Sequence, residues 1–149
     1  MAKKLSIPVN LSEDYTVIAI SCHLKEYRIS FQVNHSLRIK LKREGDLIIG
    51  GDEEDAYRDY ALYSFNNPDQ RCYYFLLANH HPDGKLLGTL RQVDYFLIIT
   101  SLLSKEDRDR IVFRLRNING VLMAYIVESG NVRDMDLLLN DLEMHLMTA

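Results

Sequence analysis

The chain lacks the cysteine pattern of a disulfide-stapled or metal-binding domain. Its two cysteines, Cys22 and Cys72, fall on different segments with no paired spacing, so reduced, partly buried thiols in a cytoplasmic protein are the expectation. No export signal is expected either: Met1-Ala2-Lys3-Lys4-Leu5 has a positive start, but Ser6, Pro8, Asn10, Ser12, Glu13 and Asp14 interrupt any apolar h-region. No uncharged apolar stretch approaches the ~20 residues of a membrane-spanning helix, so no membrane association is expected. There is no excess of positive charge. Lys and Arg number 18 against 21 Asp and Glu, a formal net charge of -3. Binding to phosphate backbones releases counterions from a basic surface, so nucleic acid is not the expected partner of a chain with this balance. Glycine-rich phosphate loops are absent too, and Gly50-Gly51 leads into acids that would repel phosphate.

What is present fits one α+β domain spanning residues 1–149, because 149 residues with 47% hydrophobic content suffice for one core and not for two. The most apolar run, Val93 to Thr100, is rich in β-branched and aromatic residues and follows the turn-rich segment His80-His81-Pro82-Asp83-Gly84. Its length and composition predict a strand buried on both faces. Leu5 to Val9 carries Pro8 and suits only a sheet edge or a lead-in. Tyr15 to Ile20 reads as a second apolar strand.

Residues 24–37 carry two patterns at once. Tyr27, Ile29, Phe31 and Val33 alternate as in a strand, while Leu24, Tyr27 and Phe31, widened by Ile29, Val33 and Leu37, also fit a helical stripe. Local pattern leaves both open. From Leu37 to Leu41, apolar residues alternate with Arg38, Lys40 and Lys42, which predicts a strand with one wet, basic face. Glu44-Gly45-Asp46 turns the chain so that Leu47 to Ile49 can pair back, and residues 50–55 read as a flexible acidic loop.

Two further strands, Tyr57 to Phe65 and Arg71 to Asn79, are joined by the turn residues Asn66 to Gln70. Aromatics on both faces place this hairpin inside a covered sheet. Ser104 followed by Asp107 is a helix-capping pair, and Ile111, Val112, Leu115 and Ile118 give the helix its apolar face. Acids near its start and Arg114 and Arg116 near its end complement the helix dipole, and Asn119-Gly120 stops it. Val121 to Val127 is a strand, so strand, helix and strand make a crossover with parallel outer strands. Met135, Leu138, Leu139, Leu142 and Leu146 recur at helical spacing. The predicted architecture is a single mixed or mostly antiparallel sheet with two to three helices packed on it.

The spacing Leu87-Gly88-Thr89-Leu90-Arg91-Gln92-Val93-Asp94-Tyr95 resembles the signature of the bacterial IPExxxVDY family, found mainly in the Bacteroidetes. Leu24-Lys25-Glu26-Tyr27-Arg28-Ile29 through Arg43, and Ile118-Asn119-Gly120-Val121 through Val127, agree with it as well. Leu87-Gly88-Thr89 stands where the family name has Ile-Pro-Glu, so only the second half of the signature is kept. The resemblance implies a small cytoplasmic protein with no assigned activity, and it favours helix over strand for residues 24–37.

No constellation in the sequence requires a particular chemistry. Asp94 and Tyr95 are the candidate binding or acid-base pair, since a partly buried carboxylate can be raised toward neutrality. A polar residue at a strand entrance more commonly bonds nearby backbone amides. His80, His81 and Asp83 have no third ligand at fixed spacing, and Asp52 to Asp55 lack the ligand alternation of a calcium loop. Nothing in the spacing joins Cys22-His23 or Cys72 into a nucleophile and base. The hairpin aromatics would serve as a base-stacking platform only with a basic surface, and a nucleic-acid reading needs Arg38, Lys40, Lys42 and Arg43 on one exposed face. The resulting expectation is a non-enzymatic domain that self-associates or docks to a protein, with no catalytic residues, cofactor or metal. The alternative is a small-ligand binder or enzyme with a pocket near Asp94 and Tyr95. A wide apolar stripe on the C-terminal helix points to a homodimer through that helix or a sheet edge.

Overall fold

Strand β9 (Tyr95–Ile99) is buried along its whole length and sits in the middle of a six-stranded sheet. The computed structural model describes residues 15–49, 58–81, 84–85 and 92–128, with Leu139, Leu142 and Met144. Around β9 the chain supplies β1 (Thr16–Cys22), α1 (Glu26–Leu37), β2 (Lys42–Arg43), β3 (Leu47–Ile49), β4 (Arg58–Tyr60) and β5 (Leu62–Asn67). Then come β6 (Cys72–Ala78), β7 (His80–His81), β8 (Gly84–Lys85), α2 (Lys105–Arg116) and β10 (Val121–Ile126). The large sheet has the order β10-β1-β9-β6-β5-β2, and β3-β4 and β7-β8 form two small ribbons. Every ladder among the described residues is antiparallel. The architecture is α+β, a sheet with two helices packed on it, as predicted.

Alternation along the three central strands divides the core in two. Ile18, Ile20, Leu76, Tyr95, Leu97 and Ile99 face the helices, meeting Ile29 and Val33 of α1 and Ile111, Val112 and Leu115 of α2. Val17, Ala19, Phe75, Leu77, Phe96 and Ile98 face the other way, against Leu47 and Tyr60 of the β3-β4 ribbon and against Leu139 and Leu142. A strand covered on both sides reads as a continuous apolar run, which is why β9 and β1 show no polar alternation. Burial of one such side chain contributes about 1.5–3 kcal/mol.

Helix α2 begins as predicted: Ser104 Oγ accepts the Asp107 amide at 3.2 Å. Its C-cap is Asn117, ahead of the predicted Asn119-Gly120 stop. The outer strands of the crossover, β9 and β10, are both antiparallel to β1 and therefore parallel to each other, with β1 inserted between them.

Four local expectations are corrected. Residues 37–41 form no strand: Arg38 closes α1 in the left-handed region with φ 59, and ladder pairing begins only at Lys42. The Asn34 side chain takes the ladder's place, accepting the Leu41 amide at 2.7 Å and donating to its carbonyl at 3.2 Å. The alternation itself survives, with Ile39 and Leu41 buried and Arg38 and Lys40 exposed. Strand β3 pairs forward with β4 rather than back, and the predicted long strand from Tyr57 breaks at Ala61 into β4 in the small ribbon and β5 in the large sheet. On α1 the Ile29 and Val33 stripe is buried, whereas Tyr27 and Phe31 face outward. Leu142, a member of the C-terminal stripe, is fully buried against the other side of the sheet. Leu5 to Val9, the acidic loop, and Met135, Leu138 and Leu146 lie outside the described residues.

Candidate functional site

The Asp94-Tyr95 pair sits where β9 begins, opposite the end of β1 and the start of α1. Asp94 continues the sheet pairing with its backbone, donating its amide to the Ile20 carbonyl at 2.9 Å and accepting the Asn79 amide at 2.9 Å. Its carboxylate Oδ2 accepts the Cys22 amide, also at 2.9 Å. Tyr95 is buried, and its hydroxyl donates to the Leu24 carbonyl at 2.9 Å. Desolvation of the ring hydroxyl pushes its pKa well above the ordinary tyrosine range, with negative potential from Cys22, Glu26 and Asp94 adding to the effect. Tyr95 is thus a neutral donor, suited to holding the chain at Leu24 and unsuited to acting as a base.

Two residues that the sequence reading did not single out complete this corner. Fully buried Asn79 donates its side-chain amide to the Val93 carbonyl at 2.8 Å, and Ser21 Oγ donates to the Gln92 carbonyl at 2.6 Å. Together these bonds stitch residues 92–95 to residues 20–24 and to the end of β6. A buried amide with a fixed backbone partner leaves no periodic trace in a sequence, so Asn79 had no signal to offer.

Above the corner lies an open depression of about 540 Å³, lined by Cys22, His23, Leu24, Lys25, Glu26, Tyr27, Asp94 and Tyr95. His23, Lys25 and Tyr27 are its exposed members. Cys22 is its buried thiol, and burial raises its pKa, with Asp94 adding to the rise against a backbone bond at Leu24. Cys72 is likewise buried and raised by desolvation, and both thiols are free. A thiol held protonated is a poor nucleophile.

The other sequence candidates do not converge here. His80 and His81 form β7, which pairs with β8, and Asp83 and Asp52 to Asp55 lie outside the described residues. Among the described residues no three His, Cys, Asp or Glu side chains are placed to hold a metal ion. The hairpin aromatics Tyr60, Tyr63, Tyr74 and Phe75 are core residues, and Tyr73 stacks beside Phe75 at 5.8 Å between ring centres. Arg38, Lys40, Lys42 and Arg43 are all exposed. No helix among the described residues is long and apolar enough to cross a membrane. No family model matches the chain, and neither a curated protein nor a solved structure matches it.

Proposed function

We propose that the chain is a non-enzymatic interaction domain that pairs with a second copy of itself. The observation that carries this reading is strand β10, an edge of the large sheet among the described residues, which holds no charged residue and leaves Leu122 65% and Met123 40% exposed. Apolar side chains grouped at a sheet edge are covered at low cost by a two-fold copy of the same edge. The ladder register shifts between Ser21 and Cys22, opposite Leu122, and Arg116 Nε donates to the Ala124 carbonyl at 2.8 Å. Both features blunt β10 as a template for added strands, so the contact is made by side chains and not by lengthening the sheet.

The chemistry of the Asp94-Tyr95 corner supports the absence of catalysis in this reading. Its carboxylate and hydroxyl hold backbone groups, and its tyrosine is kept neutral. Light scattering on the purified chain at tens of micromolar tests the proposal: a dimer mass that falls to the monomer mass in Leu122→Glu is expected, and a monomer mass for the unaltered chain would refute it. A second reading, a small-ligand site, is favoured by one observation, the depression above Tyr95. It predicts a melting temperature raised by a metabolite-sized ligand in the unaltered chain and not in Tyr27→Ala.

A further inference from the structure

Charge is distributed unevenly in this acidic chain. Residues 25–43 hold six basic side chains, Lys25, Arg28, Arg38, Lys40, Lys42 and Arg43, against the single acid Glu26. The fold turns this stretch into one surface. After α1 ends at Leu37, the left-handed Arg38 reverses the chain, and residues 39–43 run back along the helix. The return is fastened to α1 at two levels, by Asn34 to both backbone groups of Leu41 and by Arg43 Nε to Glu26 Oε1 at 3.4 Å. Ile39 and Leu41 point into the core, so Arg38, Lys40 and Lys42 are left on the outside.

Arg43 is the spent member of the set. It also bonds Asp46 and lies over the Tyr63 ring at 5.6 Å, which fixes the return in place. The remaining five cations, Lys25, Arg28, Arg38, Lys40 and Lys42, have no ion pair among the described residues. On the same helix, Tyr27 and Phe31 are 62% and 66% exposed and four residues apart. Side chains at that spacing are neighbours on one helix face, with about 5–6 Å between their Cβ atoms. The interval is comparable to the step between adjacent unstacked nucleotides.

We infer that the outward face of α1 and the returning residues 38–43 form a docking surface for single-stranded nucleic acid, with Tyr27 and Phe31 stacking on bases and Arg38, Lys40 and Lys42 meeting phosphates. This goes beyond the self-association reading and uses a different face. Charge complementarity argues for a polyanion, because unpaired cations grouped on a chain of net charge -3 otherwise carry an uncompensated local repulsion. The aromatic pair selects nucleic acid among polyanions: the two rings are exposed on one helix beside the cations, and every base offers a flat face to stack. Whole-chain net charge hides the surface, since acids elsewhere in the sequence cancel it in the sum.

Fluorescence anisotropy of labelled oligouridine and oligothymidine 20-mers, titrated with the full chain at about 50 and 200 mM salt, tests the inference. Binding at the lower salt that weakens steeply at the higher is expected. Lys40→Glu/Lys42→Glu should weaken it at least about tenfold, and Phe31→Ala at least about fivefold, the loss of one stacked base. These side chains are exposed, so circular dichroism melts of the variants should match the unaltered chain. No anisotropy change at low salt would overturn the inference. So would binding that both variants leave intact, or equally tight competition by polyglutamate, which would mark the face as a site for acidic peptides instead.

Discussion

The corner around Asp94 and the outward face of α1 are adjacent through Lys25, Glu26 and Tyr27, yet they treat polar groups in opposite ways. At the corner, the Asp94 carboxylate, the Tyr95 hydroxyl and the Asn79 amide each bond a backbone group, and Tyr95 and Asn79 are buried. On the helix face, five cations and two aromatic rings are left in water. A chemically suggestive residue type is therefore a poor guide to function by itself. What matters is whether its hydrogen-bonding capacity has been consumed by the fold.

That contrast predicts stability losses at the corner and binding losses without stability losses on the face. The largest effect is expected for Tyr95→Ala, which removes a buried ring and its hydroxyl bond. Chemical denaturation should show a loss of about 3–5 kcal/mol. Asp94→Ala strips the Cys22 amide of its acceptor and should cost about 1–3 kcal/mol, and Asp94→Asn, which keeps an acceptor oxygen, should recover part of it.

Tyr95→Phe is a finer cut at the same corner, with an expected cost of about 1 kcal/mol for the lost bond to Leu24. It also carries a pH signature. The folded pKa of Tyr95 is raised, so the folded state holds its proton where the unfolded chain has released it. Stability is then fully present below the unfolded value of about 10 and declines as pH rises above it. Denaturation curves at rising alkaline pH should show a steeper decline for the unaltered chain than for Tyr95→Phe. The smallest expected effect is on the face: Phe31→Ala should change stability by less than about 0.5 kcal/mol, the usual range for an exposed site.

The strongly apolar elements were legible because burial on both faces writes itself into composition. The runs at Tyr15 to Ile20 and Val93 to Thr100 predicted β1 and β9, and Ser104 with Asp107 predicted the start of α2. Strand order was less legible, since pairing of β1 with both β9 and β10 is a long-range choice that no local period encodes. Residues 37–41 show how a correct period yields a wrong element. Burial alternates as in a strand, but the Asn34 side chain supplies the bonds that a neighbouring strand would have supplied. Residues 24–37 carried both periods, so local pattern alone left open the helix that the structure has.

The basic face was named in the sequence as a set, Arg38, Lys40, Lys42 and Arg43, but its aromatic complement was sought on the wrong element. Of the hairpin rings that suggested a stacking platform, Tyr60, Tyr63, Tyr74 and Phe75 are core and Tyr73 is partly exposed, whereas Tyr27 and Phe31 stand outward on α1, as Phe113 does on α2. The apolar period of α1 is satisfied by Ile29 and Val33, and Tyr27 and Phe31 are apolar residues left over once that stripe is turned inward.

The most direct test of the contrast is a paired thermal melt of Asp94→Ala and of the face variant Phe31→Ala/Lys40→Glu/Lys42→Glu against the unaltered chain. At about 2–4 °C per kcal/mol for a chain of this size, Asp94→Ala should melt roughly 2–12 °C lower, while the face variant should melt within about 2 °C of the unaltered chain. An unchanged melting temperature for Asp94→Ala together with a large fall for the face variant would contradict the account, making the corner available for chemistry and the face a structural element.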